Sequence, residues 1–228
     1  MSLKEYNNKR DFSVTREPKG LIDKSNKHRF VIQRHEASRL HYDFRLEMNG
    51  VLKSWAVPKG PSMNSAEKRF AVRTEDHPVS YLPFKGKIPE GNYGGGTMEI
   101  WDKGKFIPVD EDMNPLTDRQ AAAALDKGEL KIFLKGKNIE GGFVLIRLKN
   151  DEKNWLLIKH NDEYNTRKPY DAEKVRPVSR TGSKPQTARP ATKTASVNKK
   201  SSTAALPVKK TQAKKSTPGK PSPGKRPG

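Results

Sequence analysis

From Leu40 to Leu46 the chain alternates strictly, with Leu40, Tyr42, Phe44 and Leu46 in one set and His41, Asp43 and Arg45 in the other. Successive strand side chains point to opposite faces, so this spelling gives a strand with one apolar face and one face carrying an imidazole, a carboxylate and a guanidinium. The constraint spreads to the neighbours. Phe30 to His35 reads as a preceding strand with Val31, Gln33 and His35 on one face, and the connection Glu36-Ala37-Ser38-Arg39 is short enough to return the chain nearby. If the two strands pair, His35 comes close to His41 and Asp43. Asn49-Gly50 follows directly, and because both residues tolerate positive φ it signals a type I′ hairpin turn, with Val51 to Val57 as the returning strand.

Further strands are expected at 69–76, 97–101, 105–109, 130–134, 143–148 and 155–160. Pro58 and Pro61 end the strand at Trp55 to Val57, which leaves Lys59 in a stiff loop, and His77-Pro78 breaks the strand that begins at Arg69. Asp102-Lys103-Gly104 resembles a hairpin turn between two of these strands. The glycine-rich run Ile88 to Gly96 has neither GxGxxG nor GxxxxGK(S/T) spacing, so it reads as a tight connector rather than a nucleotide cradle. One helix is convincing: Thr117 to Lys127, with Thr117 as N-cap, Gln120 three residues on, an alanine run and Gly128 at the stop. Many short strands and little helix predict a mainly β fold, a predominantly antiparallel sheet curled into a β-barrel with one or two flanking helices.

Three segments are expected: an N-terminal arm at 1–27, a barrel domain at 28–170 and a tail at 171–228. Pro18 and Gly20 argue against a long helix in the arm and for an extended course. The tail is rich in Lys, Pro, Ser, Thr and Ala with almost no large apolar residue; it cannot offset its ordering entropy and is expected to be disordered. Charge follows the same division. Of a net +20, residues 178–228 hold 13 Lys or Arg and no acid, and the other 33 basic residues face all 26 acidic ones, a net +7. A polyanion is the natural partner of both parts, and the lysine pairs of the tail suit non-specific phosphate contact. The chain has no cysteine, which excludes disulfides, thiolate metal sites and a cysteine nucleophile. No apolar run approaches the roughly 18 to 20 residues that span a bilayer, and the start lacks the apolar segment of a signal peptide, so a soluble, cytoplasmic protein is expected.

Two imidazoles and a carboxylate suit a borderline divalent cation such as Mn²⁺, Zn²⁺ or Fe²⁺, and His35, His41 and Asp43 supply that set. Arg45 on the same face makes sense if an anionic group is to bridge metal and guanidinium. His77 adds a third of the five histidines from a separate strand end. Lys59, Arg69 and Arg73 are further phosphate contacts if they lie close. No GxSxG elbow is present, so a serine-based triad has little support.

The run HEASRLHYDFRLEMNGVLKSWAVPKGPS, followed by EDHPVSY and IPEGNYGGGT, resembles the 3′-phosphoesterase module of bacterial and archaeal DNA ligase D, over roughly residues 5 to 165. The resemblance implies a β-barrel that trims 3′ ends at DNA breaks with manganese. It implies that His35, His41 and Asp43 are manganese ligands and that Arg45, His77 and Tyr81 hold and process a 3′-phosphate. Gln33 falls at an active-site glutamine, Arg10, Asp11 and Glu17 match an N-terminal RDFxxTxEP motif that contributes to the site, and Lys59 and Arg69 fall at basic phosphate-side positions. Neither ligase nor polymerase modules occur in the chain, so a ligase or polymerase and a Ku-like end-binding protein would act in trans at DNA primer–template ends associated with the nucleoid. Two alternatives stay open: a non-catalytic DNA-end or single-strand binding barrel with Tyr42, Trp55 and Tyr93 for stacking, and an RNA 3′-end processing enzyme.

Overall fold

The computed structural model describes residues 3–149 and 151–175. The strands are β1 (Arg29–Glu36), β2 (Leu40–Met48), β3 (Val51–Val57), β4 (Arg69–Arg73), β5 (His77–Pro78), β6 (Gly86–Ile88), β7 (Gly96–Val109), β8 (Glu129–Lys135), β9 (Glu140–Arg147) and β10 (Asn154–Lys159). Eight of them close an antiparallel barrel in the order β1-β2-β3-β4-β10-β9-β8-β7, with β7 returning to pair with β1. Two helices flank it, α1 (Leu3–Asn8) and α2 (Asp118–Lys127). The mainly β barrel expected from the alternation is the fold.

The Asn49-Gly50 turn has φ of 52° and 77° at its two central residues, the conformation that only such residues adopt cheaply, and it pairs Met48 with Val51. That turn fixes the register of the whole β2–β3 ladder and so sends Tyr42, Phe44 and Leu46 inward. They pack with Trp55, Trp101 and Trp155 in the barrel core, where each large side chain fully removed from water contributes roughly 1.5–3 kcal/mol. Helix α2 carries the expected capping box: the Gln120 amide donates to the Thr117 hydroxyl, the Gln120 side chain reaches back to the Thr117 amide, and Gly128 closes the helix at φ 98°.

A second, smaller apolar cluster lies on the outer side of the wall formed by β7, β1, β2 and β3. Tyr6 from α1, Leu52, Val79, Tyr81, Ile88 and Met98 are all buried there, with Phe12 and Phe84 packed against them. The arm and the 77–95 excursion therefore form an outer layer over one wall, and the polar row of β2 is enclosed between this layer and the barrel.

Four expectations need correction. Asp102-Lys103-Gly104 is not a turn, because β7 runs unbroken through it and pairs with β1 from Thr97 to Lys105. The Asp102 carboxylate accepts from the amides of Lys137, Asn138 and Ile139 in the β8–β9 connection, and a Cβ on Gly104 would stand 1.9 Å from the Lys135 carbonyl oxygen. The residues look turn-like because one caps a neighbouring loop and the other permits close backbone approach. The strand from Arg69 stops at Arg73 rather than Asp76, and the arm contains the six-residue helix α1 besides its extended course. Residues 171–175, read with the tail, pack on the barrel: Ala172 is buried and Trp101 Nε1 donates to the carbonyls of Ala172 and Val175 at 3.0 and 3.2 Å. The remainder of the expected tail, from 176 onward, lies outside the described residues.

Candidate active site

Antiparallel pairing sets Gln33 opposite Asp43 and His35 opposite His41 on β1 and β2, and Arg45 opposite Ser54 on β2 and β3. His35, His41 and Asp43 each present a ligand atom, and these atoms lie within 4.8 Å of one another. His35 Nδ1 is 3.4 Å and His41 Nε2 3.7 Å from the Asp43 carboxylate, with the two rings 4.6 Å apart. His41 Nδ1 faces the Arg39 carbonyl at 2.9 Å, which accepts a hydrogen bond from it and leaves Nε2 as the free nitrogen. His35 Nε2 is buried with no hydrogen-bond partner. Two imidazoles and an ionised carboxylate, with a buried nitrogen unpaired, fit a divalent transition metal.

Arg45 is held on three sides. Its Nε donates to Gln33 Oε1 at 2.7 Å, Nη1 to Ser54 Oγ at 3.0 Å, and Nη2 pairs with Asp43 Oδ2 at 3.1 Å. Gln33 is itself fixed, since its Nε2 donates to the Phe84 carbonyl at 2.9 Å. Burial by itself raises the Asp43 pKa, but the Arg45 guanidinium and the two imidazoles outweigh it and hold the carboxyl well below the usual carboxylate range. Asp43 is an anion at any ordinary pH.

The outer layer closes over this floor. Arg10 Nε donates to Glu17 at 2.8 Å, Nη1 to Glu75 at 3.1 Å, and Nη2 lies 3.3 Å from His77 Nε2. Its guanidinium also stacks on Tyr6, 3.8 Å from the ring centroid. His77 Nδ1 faces the Glu75 carbonyl at 2.9 Å, so this ring donates from Nδ1 and accepts at Nε2. Burial, then the nearby Arg45 and Arg10, push the His77 pKa well below its ordinary value, and the ring is neutral. Tyr81 donates to Glu17 at 3.0 Å and lies under the Arg45 guanidinium, 4.9 Å from ring centroid to Cζ, while burial raises its phenol pKa.

One cleft of about 740 Å³ is lined by His35, His41, Asp43, Arg45, His77 and Tyr81, together with Arg10 and Glu17. Gln33 stands behind Arg45, out of contact with the cleft. Asp11 is exposed and does not line the cleft; its carboxylate accepts from the Ser13 amide and hydroxyl at 2.9 and 2.6 Å and shapes the turn leading to Glu17. Lys59 and Arg69 are not brought to the cleft; they line a separate depression with Tyr42, Tyr170, Asp171 and Glu173. Arg69 there donates to Glu67 and to the Tyr170 carbonyl at 2.5 and 2.6 Å. Arg73 does not line the cleft either; its guanidinium lies over Trp55 at 4.6 Å.

Residues 33–147 match the family model described as the DNA ligase D 3′-phosphoesterase domain. The chain belongs to this family. It is 44% identical over 183 residues to a multifunctional non-homologous end joining protein LigD of Pseudomonas aeruginosa, covering 78% of this chain and 21% of that protein. A protein of the same description from Mycolicibacterium smegmatis is 44% identical over 171 residues, 72% of this chain and 21% of its own length. In Mycobacterium tuberculosis the corresponding repair protein is 42% identical over 158 residues, 68% of this chain and 19% of its own length. The chain thus spans about a fifth of the length of these relatives. The family match begins at Gln33 and so leaves out the arm, although Arg10 and Glu17 line the cleft. Ser54 and Glu75 belong to the site and were not singled out from the sequence. The Asn49-Gly50 turn register places Ser54 opposite Arg45, so that contact could have been counted. Glu75 had no such signal, because its partners Lys9 and Arg10 come from the arm, more than 60 residues away.

Proposed function

We propose that this chain is a manganese-dependent phosphoesterase that heals DNA 3′ ends, first removing a terminal ribonucleoside to leave a 3′-phosphate and then hydrolysing that monoester to a 3′-hydroxyl. The observation that carries the reading is the convergence of His35, His41 and Asp43 beside a fixed Arg45 at the floor of one cleft. A metal bound by those three residues would supply Lewis acidity toward a phosphate oxygen and lower the pKa of a bound water.

Arg45 is preorganised by Gln33, Ser54 and Asp43, so it meets developing charge on the phosphoryl oxygens without first being reoriented. Arg10 brings a second guanidinium from the arm. His77 begins neutral, chiefly because it is buried and then because Arg45 and Arg10 lie close; facing the cleft, it stabilises charge on the phosphate or serves as general acid toward the leaving oxygen. Tyr81, protonated through the ordinary pH range, donates a hydrogen bond. Lys59, in its separate depression, contacts phosphates of the flanking duplex, with Arg69 as its neighbour.

The substrate is a primer–template 3′ end in the cytoplasm at the nucleoid, and a ligase or polymerase and a Ku-like end binder act in trans. No helix among the described residues is long and apolar enough to cross a membrane. The test is a labelled primer–template ending in one ribonucleotide, incubated with manganese or with a chelator. Manganese yields first the 3′-phosphate and then the 3′-hydroxyl product, and His41→Ala yields neither. Full turnover by that variant would remove the assignment.

A further inference from the structure

Tyr93 lies in the glycine-rich connector between β6 and β7 and lines the same cleft as the metal-ligand set. It is 48% exposed, whereas Tyr6 and Tyr81 of the same outer layer are buried. Its hydroxyl donates to Glu75 Oε2 at 3.2 Å, and Glu75 is the buried carboxylate that holds Arg10. Lys9 Nζ is 4.7 Å and Arg10 Cζ 5.6 Å from the ring centroid. The ring is therefore tethered one residue beyond Arg10, the guanidinium that touches His77. The connector is pinned at its far end too. Gly96 has φ 146°, and a Cβ there would stand 2.4 Å from the Glu36 carbonyl oxygen, so the loop rests directly on the β1–β2 connection next to His35.

A cleft of about 740 Å³ has room for a whole nucleotide beside the phosphate floor. The exposed ring at its rim, held by its hydroxyl and flanked by two cations, offers a π face to whatever extends outward from the phosphate. We infer that Tyr93 stacks on the base of the terminal nucleoside and thereby sets the preference for a nucleoside-ended strand over a phosphate-ended one. This rests on the function proposed above and adds a specificity residue to it.

The test compares kcat/KM on three primer–templates, ending in a ribonucleoside, in an abasic ribose or in a 3′-phosphate, for the full chain and for Tyr93→Ala and Tyr93→Phe with manganese. A base–aromatic stack predicts that Tyr93→Ala loses roughly ten- to hundredfold on the ribonucleoside end, mainly through KM. It predicts a several-fold smaller loss on the two ends that carry no base beyond the reacting phosphate, and Tyr93→Phe keeps the wild-type order of preference. Equal losses on all three ends, or a Phe variant as impaired as Ala, would mean that Tyr93 acts by buttressing Glu75, and the inference would fail. An unsubstituted chain that processes none of the three ends would instead overturn the phosphoesterase reading, and the inference with it.

Discussion

Arg45 illustrates what a single side chain owes to its neighbours. Three of its five N–H donors are committed to Gln33, Ser54 and Asp43, and the rest remain for an anionic ligand. A lysine has the charge without the planar fork, so Arg45→Lys is expected to fold and to lose about 10²–10³ in kcat on a 3′-phosphate end. Comparable turnover by the lysine variant would show that charge alone suffices. Farther along β2, Glu47 is fully buried; burial raises its pKa, but donation from Arg29 Nε and Nη2, both at 2.7 Å, and from the Arg29 amide wins and lowers it to about 2. The folded protein thus holds the Glu47 proton less tightly than the unfolded chain does. The stabilisation is complete above the ordinary carboxylate range near pH 4.5 and is lost as pH falls toward 2. Because Arg29 is one-third exposed, its size is on the order of 2 kcal/mol. Glu47→Gln should lower the melting temperature at pH 7 and make little difference near pH 2.5, as melts across that range would register.

Among the elements, β7 governs the barrel. It pairs with β1 along most of its length, with β6 at its start and with β8 at its end, so it both closes the barrel and carries the glycine-rich connector to the site. At Gly104 it passes close against the end of β8. Gly104→Ala would drive a methyl group into the Lys135 carbonyl, and since backbone cannot step aside cheaply the expected loss is about 2–3 kcal/mol or more in a denaturant melt. A variant as stable as the parent would show that β7 and β8 can separate there. Helix α2 is a contrast: its capping box faces solvent, and Thr117→Ala should cost only about 1 kcal/mol and leave turnover unaltered.

At the scale of the whole molecule, the site is a junction of two layers. The barrel wall supplies the candidate metal-ligand set and Arg45, and the outer layer supplies Arg10, Glu17, His77 and Tyr81, joined through Glu17 and Glu75. A metal that binds only the folded state stabilises it by mass action, by about 2.7 kcal/mol at a hundredfold excess over Kd. Manganese should therefore raise the melting temperature of the full chain and leave that of His41→Ala nearly unmoved. An equal rise in both would place the ion elsewhere.

Alternation and turn chemistry determined the β2 strand, its two faces, the Asn49-Gly50 hairpin and the capped helix, because each depends on residues within one or two turns of one another in the chain. From those, strand pairing alone brings His35 against His41 and Asp43. Tertiary structure decided the rest. Whether Asp102-Lys103-Gly104 bends or runs straight depends on β1 and β8 lying beside it, and no local pattern records that. The arm reaches the site because Arg10 finds Glu75 across 65 residues, while Lys59 and Arg69, nearer in sequence, are carried by the barrel's curvature into another depression. Local spelling fixes which way a side chain points; only closure of the sheet fixes what it meets there.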